Sequence, residues 1–111
     1  MNHIPTDWPN RSFSRQVQTG DISWHVQIAG DSPIRILMLH GTGSSAHTWG
    51  VLFSELAKKY TVVAPDLPGH GFTRNLGVKN LSLDDLASKL TELRKALDIE
   101  YFEHIIGHSA G

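Results

Sequence analysis

Gly107-His108-Ser109-Ala110-Gly111 closes the 111-residue chain, and its reading decides the fold. The pentapeptide fits the pattern Gly-x-Ser-x-Gly. With glycine and serine each near ~7–9% of residues, roughly one random chain in twelve to thirty of this length carries such a match. The setting raises its weight. Glu103-His104-Ile105-Ile106 runs directly into Gly107 as a short strand, the context this motif requires. A serine there sits on a tight turn between strand and helix. Side chains at the flanking positions would clash with neighbouring elements, hence Gly107 and Gly111. The turn pushes the Ser109 hydroxyl out at the carboxyl end of the sheet, where α/β proteins place ligands.

Working back along the chain, His40-Gly41-Thr42-Gly43 directly follows an apolar run, Ile34 to Leu39, that reads as a strand covered on both faces. A glycine-rich loop in that place can aim backbone N–H groups at a developing oxyanion. The N–H groups of Thr42 and of Ala110 are the expected donors. One such donor is worth about 3–4 kcal/mol of transition-state stabilisation. Taken alone, the loop also reads as a plain turn of small residues.

The intervening chain has a regular plan. Residues 1–12 are polar, hold Pro5 and Pro9, and read as an irregular arm. Phe13 to Thr19 and Ile22 to Ala29 read as strands joined by a Gly20-Asp21 hairpin turn. In the second, Ile22, Trp24, Val26 and Ile28 alternate with Ser23, His25, Gln27 and Ala29, which predicts a half-buried strand near a sheet edge. Trp49, Leu52, Phe53, Leu56 and Ala57 predict a helix over roughly 48–59, and Tyr60 to Ala64 a buried strand. Pro65 to Gly77 reads as a long loop. Ser82 opens a helix to about residue 97, with a stripe of Leu83, Leu86, Ala87, Leu90, Leu93 and Leu97. Strands alternating with helices imply right-handed crossovers and a parallel sheet behind a leading hairpin.

With both motifs in this order, the chain resembles the α/β-hydrolase fold family. Asp66-Leu67-Pro68-Gly69-His70-Gly71-Phe72-Thr73 resembles that family's loop after the fourth strand, which shapes the pocket floor. The resemblance implies an α/β fold: the N-terminal half of a hydrolase domain over 13–111, truncated at the nucleophile elbow. Its catalytic residue would be Ser109, supported by His40, Gly41, Gly43, Gly107, His108 and Gly111. Trp8-Pro9-Asn10-Arg11, Ser23-Trp24-His25-Val26-Gln27 and the stretch from His40 to Trp49 are similar to one subfamily, the magnesium-chelatase accessory proteins of bacteriochlorophyll biosynthesis. That likeness implies a role near magnesium insertion into protoporphyrin, with magnesium chelatase as a partner.

Composition narrows the classes. Ten basic and eleven acidic residues give a formal charge of -1 with no basic stripe, which argues against a nucleic-acid partner. The chain has no cysteine, so disulfides and thiolate metal sites are excluded. No apolar run approaches the ~20 residues that cross a bilayer, and a cytoplasmic protein is expected.

A serine hydrolase of this fold needs an acid and a histidine after the serine. Only Ala110 and Gly111 follow Ser109. The expectation is a C-terminal truncation, with this piece inactive alone and poorly soluble through the exposed edge of its last strand. None of the seven histidines replaces the base. His40 is expected to pack or hydrogen-bond, and His70 belongs to the loop after the fourth strand. His3, His25 and His47 read as surface or half-buried structural residues. His104 and His108 are four apart on a strand, without the helical spacing of a zinc pair. No metal and no cofactor are expected. Two readings stay open: a hydrolase or acyl transferase of ester-like small molecules, and a non-catalytic accessory or scaffold protein. A non-hydrolytic relative on the same fold, such as a haloperoxidase, is a third.

Overall fold

The alternation of apolar positions along the strands sets up a sheet with two covered faces. A computed structural model describes residues 11–40, 50–67, 74–75 and 83–107. A short 3-10 helix, Arg11–Phe13, leads into β1 (Ser14–Thr19) and β2 (Ile22–Ala29). Then come β3 (Arg35–Leu39), α1 (Gly50–Leu56), β4 (Thr61–Pro65), β5 (Arg74–Asn75), α2 (Leu83–Ala96) and β6 (His104–Gly107). The strands form one sheet in the order β1-β2-β4-β3-β6, with β5 also pairing β2.

The hairpin forms as its turn residues dictate. Thr19 pairs with Ile22, and Gly20 takes a positive φ of 55° while Asp21 does not, the pattern of a type II′ turn. β2 then runs antiparallel to β4, whereas β3 is parallel to both β4 and β6. The leading hairpin and the parallel sheet behind it are both present.

The two faces fill from alternate residues. Ile22, Trp24, Val26, Leu37 and Val63 join Leu93 and Ile99 on the face covered by α2. Ala29, Ile36, Met38, Val62 and Ala64 meet Phe53 of α1 on the other. The chain passes from β3 to β4 on one side of β3, then crosses back to β6 on its other side. Helices on opposite faces are what right-handed crossovers in opposite directions require. No helix among the described residues is long and apolar enough to cross a membrane.

Helix α2 ends in a well-satisfied cap. Asp98 takes a left-handed φ of 58°, the Ile99 N–H donates to Arg94 O (3.1 Å), and the Asp98 N–H donates to Lys95 O (3.0 Å). These are the two bonds of a Schellman motif, and they turn Ile99 back into the core. The Arg94 side chain adds bonds to the carbonyls of Ile99 and Glu100.

Three expectations change. Strand β2 lies near the sheet edge, one place in from it, but it is not half-buried: its polar face is buried too, with His25 and Gln27 fully covered. The cause is the 3-10 helix ahead of β1, which packs over this face; Phe13 lies 6.0 Å from Phe53, ring centre to ring centre. The loop after Pro65 also contains a strand, β5, whose Arg74 and Asn75 pair with Ser23 and Ile22. Residues 11 and 12 of the expected irregular arm, with Phe13 of the expected first strand, form that 3-10 helix. The expected helix starts at 48 and 82 lie outside the described residues; the other ends agree with expectation to within three residues, the usual fraying of helix and strand ends.

Gly30 ends β2 with φ +99°, and a Cβ there would overlap the Tyr60 carbonyl oxygen, which is backbone and has nowhere to go. Gly30→Ala is therefore expected to cost about 2–4 kcal/mol, from a strained φ and a forced separation of β2 from the start of β4. Urea unfolding of the full-length protein carrying this chain measures it; an unchanged midpoint contradicts the argument.

Candidate active site

Strand β3 delivers His40, and β6 delivers Gly107, to the same end of the sheet. Leu39 pairs with Gly107, so the two chains leave the sheet side by side and at one level. Their order in the sequence is reversed about β3, since the next strand after β3 lies on its other flank. In open α/β sheets such a reversal leaves a crevice beyond the carboxyl ends of the strands, where ligands bind. Gly41, Thr42, Gly43, His108, Ser109, Ala110 and Gly111 lie outside the described residues. Of the expected site residues, His40 and Gly107 are described, and they are neighbours.

Residue 103 docks β6. The Glu103 N–H donates to Arg35 O (3.0 Å), and the Arg35 N–H donates back to Glu103 Oε2 (2.9 Å). This clasp fixes the start of β6 against the start of β3. The ladder then runs in register from Ile36 with His104 to Leu39 with Gly107.

His40 is fully buried, and its Nε2 accepts the Leu67 N–H at 2.8 Å. A backbone N–H can only donate, so Nε2 is unprotonated and the ring is neutral with its proton on Nδ1. The expected hydrogen-bonding role of His40 is what the structure shows.

His25 departs from its reading as a surface or half-buried residue. It is fully buried on β2, with Nδ1–H donating to Asp66 Oδ2 at 2.7 Å and Nε2 bonded to Ser14 Oγ at 2.8 Å. Gln27 Nε2 also reaches Ser14 Oγ, at 3.4 Å. The order Ser–His–Asp is that of a catalytic triad. Ser14 is nevertheless buried on β1, so no substrate carbonyl reaches it. The cluster is a hydrogen-bonded polar group within the core. Sequence spacing hid it, because residues 14, 25 and 66 meet only through the pairing of β2 with both β1 and β4.

With this geometry established, the family follows. Residues 36–111 match the alpha/beta hydrolase family, and the chain belongs to it. Among individual proteins, it is 37% identical over 110 residues to the magnesium-chelatase 30 kDa subunit of Rhodobacter capsulatus, covering 97% of this chain and 38% of that protein. It is 36% identical over 101 residues to a fluoroacetate dehalogenase of Burkholderia, covering 87% of this chain and 33% of that protein. The solved structure of a meta-cleavage product hydrolase from Pseudomonas fluorescens superimposes with a TM-score of 0.81 at 28% identity, over 92% of this chain and 38% of that one. The chain thus spans between 33% and 38% of the length of these relatives.

Proposed function

We propose that the protein carrying this chain is a serine-nucleophile hydrolase or acyl transferase for ester-like small molecules. Ser109 attacks the acyl carbon, and the backbone N–H groups of Thr42 and Ala110 receive the oxyanion. The observation that carries this reading is the register of β3 with β6. It starts the oxyanion loop and the nucleophile turn from adjacent, level strand ends. His25 and His40 are committed to Asp66, Ser14 and Leu67, so the general base comes from another residue.

A fluorophosphonate probe on the full-length protein tests the reading. Stoichiometric labelling at Ser109, lost in Ser109→Ala, is expected. An unlabelled Ser109 refutes it.

The likeness to the magnesium-chelatase subunit over almost the whole chain favours a second reading. In it the protein assists magnesium insertion into protoporphyrin without hydrolysing anything, on a fold whose elbow has outlived its chemistry. Chelatase stimulation that survives Ser109→Ala would support that reading over the first.

A further inference from the structure

The polar side chains buried on the α1 face form a row across the sheet. Residues 25, 66 and 40 stand on β2, just past β4, and just past β3. The antiparallel register of β2 with β4 pairs Val26 with Pro65, which puts His25 opposite Asp66. Residue 66 is held twice by residue 25: its N–H donates to His25 O at 2.9 Å, and its carboxylate accepts the His25 ring N–H at 2.7 Å. The next N–H, that of Leu67, donates to His40 Nε2 at 2.8 Å. His25, Asp66 and His40 are all fully buried, so water does not compete for these bonds. In a low-dielectric interior such bonds strengthen one another, and an unmade one is costly. Among the described residues the row reaches His40, whose backbone continues directly into Gly41-Thr42-Gly43.

From this geometry we infer that His25 is a positioning residue for the oxyanion loop, acting through Asp66, Leu67 and His40. Ser14 completes the device by holding the far nitrogen of the His25 ring. With the Asp66 anchor in place, the Leu67 N–H stays aimed at His40, and that bond holds His40 at the end of β3. Without it, Asp66 keeps a buried carboxylate deprived of its ring donor and turns toward other donors, and Leu67 turns with it. A donor displaced from the oxyanion costs transition-state binding and leaves ground-state binding unchanged. The catalytic part of this inference rests on the hydrolase reading above; the structural link from residue 25 to residue 40 does not.

Two substitutions separate the two bonds of the ring. His25→Asn keeps a donor where Nδ1 lies and so retains Asp66. His25→Gln keeps a polar group where Nε2 lies and so retains Ser14 alone. Two readouts on the full-length protein follow. The first is hydrogen exchange at the Leu67 amide: more than about tenfold faster in His25→Gln, within about threefold of wild type in His25→Asn. The second is turnover of p-nitrophenyl butyrate: kcat at least about tenfold lower in His25→Gln with KM within twofold, and largely restored in His25→Asn. Rates are taken per folded molecule, well below the melting temperature of each variant. Unchanged Leu67 exchange in His25→Gln overturns the link. Faster exchange with an unchanged kcat overturns the positioning role, and so does an equal loss in both variants. A Ser109→Ala protein as active as wild type sinks the hydrolase reading instead, and the exchange measurement then still decides the link.

Discussion

Ser109→Ala is expected to lower kcat for ester hydrolysis by the full-length protein at least about 10⁴-fold, with KM nearly unchanged. The nucleophile forms and breaks the covalent bond in both half-reactions, so its removal leaves only the background that oxyanion donors and substrate binding supply to a water molecule. The proposed donors are backbone groups of Thr42 and Ala110, which the substitution does not touch. Substrate binding is therefore expected to survive while turnover does not. Steady-state kinetics on p-nitrophenyl esters measure both parameters together. Retained kcat in the alanine variant would remove Ser109 from the reaction and favour the accessory reading.

Trp24→Ala carries the largest expected effect on stability, about 3–5 kcal/mol, the range for deleting a large buried aromatic. Trp24 is fully buried on the α2 face of β2, in the cluster that contains Ile22, Val26, Leu93 and Ile99. Its Nε1–H donates to Thr19 Oγ1 at 2.7 Å, tying the ring to the last residue of β1 just before the hairpin turn. The alanine leaves a cavity and also deprives that hydroxyl of its donor. Trp24→Phe isolates the second part: most of the ring remains, the N–H does not, and a loss of about 1–3 kcal/mol is expected for the stranded polar group. Chemical unfolding of the full-length protein reads both values. A phenylalanine variant as stable as wild type would show that Thr19 finds another partner.

Much of this architecture could be read from local pattern. Gly20-Asp21 fixed the hairpin, the continuous apolar runs around Leu37 and Val63 marked strands covered on both faces, and the leucine stripe from Leu83 to Leu97 marked α2. Each signal is carried by residues within a few positions of one another. The readings that failed depended on what lies on top of a strand. His25 and Gln27 look solvent-facing by their polarity, while the short helix at 11–13 covers them and Ser14 and Asp66 are among their partners. β5 has no signature in the sequence, because two residues, Arg74 and Asn75, carry no periodicity at all. Of the site, the sequence motifs named Ser109, Thr42 and Ala110, and the sheet register supplies what spacing could not: that His40 and Gly107 end adjacent strands. The role of His25 was invisible to motif reasoning, since its partners lie 11 and 41 residues away.

The clasp between Arg35 and Glu103 has a consequence for how the molecule is made. It joins residues 68 apart, whereas the β1–β2 hairpin closes over a two-residue turn. Long closures cost chain entropy before any contact repays it, so pairings between distant segments form late. The segments that continue from Leu39 and from Gly107 are not brought to adjacent strand ends until this closure is made. On the hydrolase proposal, a partly folded chain with β1 to β4 already assembled would carry no competent serine, and reactivity would be withheld until β6 is in place.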